Sequence, residues 1–208
     1  MGNAIKGNSC RLVLAVILLA GGASAQAGFQ EGISAYKRGH FSIALKELAP
    51  LAEKGDAKAQ AILGQMHSSG SGVPQDHAKA AFWYCKAAEQ GHVKAQTSLG
   101  VMYKEGVGVP QDEREAASWF HKAAEQGHAE ALYTLGVMYE RGQGAIQADL
   151  VQAHKWFNIA VAAGFDIAQD NLDEIETKMS HEQIEAARSM TKEWLATHKL
   201  PTHSGHLK

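Results

Sequence analysis

The sequence predicts an all-α fold, an α/α solenoid of stacked helix pairs closed by a C-terminal capping helix. One observation behind this is a phrase recurring at a step of 36 residues: Trp83, Trp119 and Trp156 each stand eight residues before a glycine, Gly91, Gly127 and Gly164. Leu63-Gly64, Leu99-Gly100 and Leu135-Gly136 keep that step, and so do the pairs Gly70/Gly72, Gly106/Gly108 and Gly142/Gly144. The third copy carries one extra residue after its glycine pair, so its later landmarks fall 37 residues on. The other observation is an apolar stripe with the period of a helix: Ala95, Leu99, Met102 and Tyr103, matched by Ala59, Leu63, Met66 and His67 and by Ala131, Leu135, Met138 and Tyr139. A unit of this length cannot bury its apolar face alone, and stacked neighbours complete the core.

Residues 1–25 stand apart from the solenoid. Lys6 and Arg11 precede an unbroken apolar run, Leu12 to Ala20, which ends in the small residues Gly21 to Ala25. This is the pattern of a secretory signal peptide with an A-x-A site, and it predicts a cut between Ala25 and Gln26. The run is well short of the ~20 residues that span a bilayer. Export to the periplasm or beyond, as a protein without stable membrane insertion, is the expectation. The cut would remove two basic residues and no acidic one, moving the net charge from −2 to −4. No basic block remains, which argues against nucleic acid as a partner. Cys10 would leave with the signal, so Cys85 is the single remaining thiol and stability must come from helix packing. His121 and Asn158 occupy the place of Cys85 in the other copies, marking a partly exposed flank.

The elements then follow in order. Residues 26–55 read as a short-looped helix pair, Phe29 to Arg38 and Phe41 to Glu53 around a Gly39 turn, with Pro50 expected to kink or shorten the second helix. Residues 56–164 hold three units, 56–91, 92–127 and 128–164. In the second unit a helix from Val93 to Lys104 meets Gly106-Val107-Gly108-Val109-Pro110, where glycine permits chain reversal and proline stops the helix. Asp112 is an N-cap with Glu115 three residues on as a capping box, and Asp76 and Asp149 stand at the same position. Ala116, Trp119, Phe120, Ala123 and Ala124 form the buried stripe of the second helix, closed by Gly127 as a left-handed C-cap. Ala95 and Gly100 let neighbouring helices approach closely. The glycine loop lacks a following Lys-Ser or Lys-Thr and leads into an acidic residue, so it reads as a turn and not a phosphate cradle. Residues 165–198 give one more first helix, with Ala168 and Leu172 in register, and a capping helix opened by a Ser180/Gln183 box. Residues 199–208 read as a flexible tail.

These residues resemble the Sel-like repeat family, α/α repeats related to tetratricopeptide repeats but with a longer loop between the helices. The second copy spells the phrase through Ala95, Leu99, Gly100, Met102, Tyr103, Gly106, Gly108, Val109, Asp112, Ala116, Trp119, Lys122, Ala123, Ala124, Glu125, Gln126 and Gly127. The resemblance implies a right-handed solenoid of Sel-like and tetratricopeptide-like pairs, and a non-catalytic scaffold or adaptor of the bacterial envelope. Such a scaffold binds a partner protein or peptide on a concave face lined by the first helix of each unit. Opposite the core stripe those helices carry Ala61 and Gln65, Thr97 and Val101, and Tyr133 and Val137, the candidate partner-binding residues.

Two other chemistries are weighed against this one. Cysteine-rich members of the family are described as penicillin-binding proteins with weak β-lactamase activity, but they carry paired cysteines in every repeat and this chain carries none. No Gly-x-Ser-x-Gly or His-Glu-x-x-His arrangement occurs either, and histidines sit singly or recur with the repeat. No catalytic residue and no cofactor is expected. His198, His203 and His206 suit a soft divalent metal by type, yet no carboxylate or cysteine stands beside them, so they read as an inert tail.

Overall fold

Helix pairs make up the whole of the described structure, a computed structural model that covers residues 22–144 and 146–200. In chain order the helices are α1 (Gly22–Lys37), α2 (Phe41–Glu53), α3 (Ala57–Ser69), α4 (His77–Glu89), α5 (Val93–Glu105), α6 (Glu113–Ala124), α7 (Ala129–Arg141), α8 (Leu150–Ala162), α9 (Ile167–Glu176) and α10 (His181–Thr197). Among the described residues there is no strand, and no helix is long and apolar enough to cross a membrane. The architecture is an all-α, α/α solenoid. Most of the signal-peptide reading, residues 1–21, lies outside the described residues; α1 begins at Gly22, so the expected cut falls within its first turns.

The chain divides into two compact units, the first ending at Gln90 and the second beginning at Gly91. In the first, α1 packs on α2, α2 on α3 and α3 on α4, around Phe29, Ala44, Leu48, Leu63 and Met66. In the second, α5 to α8 pack in sequence and α8 also receives α9 and α10. Its core gathers Phe120, Leu132, Leu135, Trp156, Phe157 and Ile159 and closes on Leu172, Ile175 and Trp194. Burial of this apolar set is what holds each unit, at roughly 25 cal/mol per Å² removed from water.

The long loops are hydrogen-bonded turns. Gly70, Gly106 and Gly142 all sit in the left-handed region at the ends of α3, α5 and α7, and their N–H groups donate to Met66, Met102 and Met138. Each loop is then pinned across its mouth: the N–H of Asp76, Asp112 and Asp149 donates to the carbonyl of His67, Tyr103 and Tyr139 at 2.8–2.9 Å. Those three aspartates cap α4, α6 and α8 through their side chains. In the third loop the Gly144 N–H also donates to the Glu113 carboxylate of α6 at 3.2 Å, so that loop is tied to the preceding repeat as well, in keeping with a structural role.

Several expectations are corrected. Pro50 does not shorten α2, which runs 13 residues like α3; the helix continues past the one bond, to the Lys46 carbonyl, that the proline cannot donate. Gly127 has a positive φ of 76°, but α6 already ends at Ala124 with Glu125 as a right-handed C-cap, so the glycine serves the turn beyond the cap. Asp112 caps one way, accepting from Arg114 and Glu115; among the described helices the reciprocal box forms at Ser180/Gln183. The expected tail is held at its start, with Leu200 packed on the core, while residues 201–208 lie outside the described residues.

The helical glycines have the role assigned to them. A Cβ on Gly64 would stand 2.7 Å from the Tyr84 ring, one on Gly100 2.9 Å from the Phe120 ring, and one on Gly136 would overlap the Phe157 ring. The aromatic residue of each second helix therefore seats on bare backbone of the first.

Candidate functional site

The recurring tryptophans carry a cation on their rings. Lys122 Nζ lies 3.7 Å from the centre of the Trp119 ring and Lys86 5.6 Å from that of Trp83, which explains the Trp-x2-Lys spacing in α6 and α4. In α8 that lysine is replaced by Ile159, and Lys155, one residue before Trp156, covers the ring from 4.1 Å instead. Burial holds the Lys155 amine below its usual pKa, with Glu125 opposing. The conserved-looking phrase is thus a packing device on the second helices, leaving the first helices to present the candidate surface.

On the first unit, Ala61 is buried and Gln65 is exposed, both on α3. On the second, α5 and α7 carry the other four. Thr97 is only 5% exposed: its hydroxyl donates to the Val93 carbonyl at 3.3 Å and meets His128 Nδ1, at the start of α7, at 3.2 Å. Its polar group is used to join one repeat to the next. Burial keeps the His128 imidazole below its usual pKa. Val101 is 42% exposed. Tyr133 and Val137 are half-buried, with the Tyr133 ring 5.7 Å from Phe157 and 5.0 Å from Phe165. The second unit therefore presents apolar side chains at the same register positions of successive first helices, Val101 on α5 and Tyr133 and Val137 on α7, the last two packed on its core.

His154 is a feature that sequence reasoning misses. It does not lie on a helix surface: it is fully buried in α8, with Nε2 2.7 Å from Glu176 Oε1 and Nδ1 3.2 Å from the Asn158 amide. Arg188 of α10 reaches the same Glu176 oxygen at 3.3 Å and Glu185 at 3.0 Å. The hydrogen bond from His154, reinforced by the charges of His154 and Arg188, holds the Glu176 carboxyl below its usual pKa against the effect of burial. The signal was present in the repeat register, where Ala81 and Ala117 stand in the place of His154. This network ties α8, α9 and α10 together, and its geometry is that of a closing clamp for the last repeat.

The remaining candidates are placed as follows. Cys85 is half-buried in α4, in line with the polar residues, His121 and Asn158, that hold its register position in the other repeats. His198 is not a loose ligand: it stacks on Trp194 with ring centres 4.1 Å apart and pairs with Glu125 at 2.9 Å. His203 and His206 lie outside the described residues, and among the described residues no group of three His, Cys, Asp or Glu is placed to hold a metal. Two Ser-x-x-Lys spacings also occur, Ser34/Lys37 on α1 and Ser189/Lys192 on α10. All four of these residues are exposed on their helices, and the Ser189 hydroxyl donates to Glu193 at 3.3 Å.

Comparison with known proteins adds three findings. The Sel1 repeat matches three times, at residues 57–92, 93–128 and 129–165. The structure is similar to a Sel1 repeat protein from Oxalobacter formigenes, with 35% identity, a TM-score of 0.65, and coverage of 68% of this chain and 58% of that one. It is also similar to c5321, a protective antigen present in uropathogenic Escherichia coli strains displaying an SLR fold, with 30% identity, a TM-score of 0.71, and coverage of 89% of this chain and 44% of that one. The chain thus spans about half the length of these two structures. No curated protein matches it.

Proposed function

Since the chain belongs to the Sel1 repeat family, we propose that it is an exported scaffold that holds a partner protein or peptide against its first helices. Repeats of this family generally act as protein-interaction scaffolds and are typically non-catalytic. The observation that carries the reading here is the accessible apolar side chains on α5 and α7, with Val101 42% exposed and Tyr133 and Val137 half-buried over a packed core. A rigid half-apolar surface of this kind suits an extended or helical segment, because the face is pre-ordered and little entropy is lost on binding. Export rests on residues 1–25, with a charged start, an apolar run and a small-residue end.

Crosslinked capture from the envelope fraction of the producing cell tests the surface. The expected result is a discrete partner that is lost with Tyr133→Ala/Val137→Ala while the variant keeps its helical circular-dichroism spectrum. Equal capture by the folded variant overturns this surface. Export is tested by mass spectrometry of the protein recovered from the cell: a chain starting at Gln26 supports it, and an intact Met1 start in the cytosol overturns it.

A further inference from the structure

Resting on that reading of the surface, we propose that its partner is an extended peptide segment in which an aliphatic residue is followed, about three positions on, by Lys or Arg. The warrant is the repeat register. In α7 the core residues are Ala131, Leu135 and Met138; 37 residues on, α9 buries Ala168, Leu172 and Ile175 in the same places. The surface positions Tyr133 and Val137 of α7 therefore correspond to Asp170 and Glu174 of α9, and both acids are exposed. One ring contact joins α7 to the start of α9 on that side, Tyr133 meeting Phe165, just ahead of α9, at 5.0 Å, and the charges of Arg141 and Glu140 at the end of α7 act favourably on Glu174 and Lys178.

These positions thus change chemistry from helix to helix within the second unit. In the repeat register Val101, Tyr133 and Val137 are apolar on α5 and α7, and α9 carries carboxylates at the corresponding places. Lys178 engages Glu174 at 2.7 Å, while among the described residues no cation lies within ion-pairing distance of Asp170. Asp173 is exposed on the same short helix and Asp166 just before it, and the helix contains no Lys or Arg, which leaves it with an excess of negative charge. An occupant crossing from α7 to α9 meets an apolar seat first and an acidic one after. Packed helices lie roughly 8–10 Å apart, and an extended chain advances about 3.3 Å per residue, so the two seats are about three residues apart along a peptide. Charge complementarity of this sort selects partners and is weakened by salt.

An array of immobilised eight-residue peptides, each holding one leucine with the other positions varied, tests this on the purified protein. Wild type is expected to select Lys or Arg about three residues from the leucine. The Asp170→Lys/Glu174→Lys variant is expected to lose at least about tenfold of the signal on those peptides and to gain acidic ones. Asp170→Asn/Glu174→Gln, which keeps shape and removes charge, should fall between the two. Selection without a basic preference, or a basic preference retained by the charge-reversed variant, overturns the charge inference. If those peptides are still lost with Tyr133→Ala/Val137→Ala, the scaffold surface survives that result. Binding of no peptide by wild type, or binding unaffected by any of the variants, overturns both.

Discussion

The side-chain amide of Gln90, at the end of α4, reaches back to α3 and donates to Gln60 Oε1 at 2.7 Å. Gln60, only 3% exposed, in turn donates to the Ala52 carbonyl at 3.0 Å, so the pair binds three successive helices. The same bond recurs in the next repeat between Gln126 and Gln96 at 2.8 Å. The third repeat replaces it with Leu132 and Ala163, both buried, so an apolar contact fills the same place.

Gln60→Ala should therefore destabilise the protein by about 1–3 kcal/mol, because it removes both hydrogen bonds of a buried side chain and opens a gap. Gln60→Leu/Gln90→Ala, which copies the third repeat, should cost less, since leucine fills the gap while the Ala52 carbonyl keeps its bond from Gly55 at 3.0 Å. Urea denaturation of the two variants measures the difference, and a double variant as unstable as Gln60→Ala contradicts it.

Gly136→Ala should cost roughly 1–3 kcal/mol through overpacking, although alanine in a helix is worth up to ~1 kcal/mol over glycine. The new methyl group overlaps the ring of Phe157, which is fully buried and has no room to turn aside. Gly100→Ala meets Phe120 at 2.9 Å and should cost less. The order of the two midpoints in urea is the check.

Acid should loosen the structure in two steps. Burial holds the imidazoles of His67, His121 and His128 below their usual pKa, so in the unfolded chain they bind protons more readily than in the folded one. Their contribution to stability is present above the ordinary histidine value of about 6.5 and declines as the pH falls below it. Glu176, lowered by its bond to His154, contributes above the ordinary glutamate value of about 4.3, and that contribution is lost as the pH falls through its folded value. Melting temperature should drop between about pH 7.5 and about pH 5.5. The slope should be shallower in His121→Gln/His128→Asn, and an unchanged slope would falsify this account.

His154→Ala should detach the cap before it unfolds the rest. It removes the 2.7 Å bond to Glu176 and leaves a gap in α8, at a cost of about 1–3 kcal/mol. Because Glu176 and Arg188 belong to α9 and α10, amide hydrogen exchange should quicken there first. Uniform quickening across α5 to α10 would contradict a local clamp.

Much of this was legible in the chain itself. The 36-residue step, the glycine pairs and the aspartate caps place α3 to α8, because a turn that needs a positive φ, or a helix that needs an N-terminal acceptor, declares itself in one residue type. The stripes likewise identify the core, since a helix has only one face to hide. Positions such as Thr97 and His154 were not legible. The period places Thr97 opposite the core stripe of its own helix, but a helix in a stack has a neighbour on its flank as well, and His128 of the next repeat covers it. For the same reason the Gln60–Gln90 bond and the His154–Glu176–Arg188 clamp emerge only when residues 12 to 30 apart in sequence are brought together. Local order follows from short-range sterics and hydrogen bonding written in adjacent residues; the use of each surface follows from which neighbour arrives to desolvate it, and that is settled by the packing of whole helices.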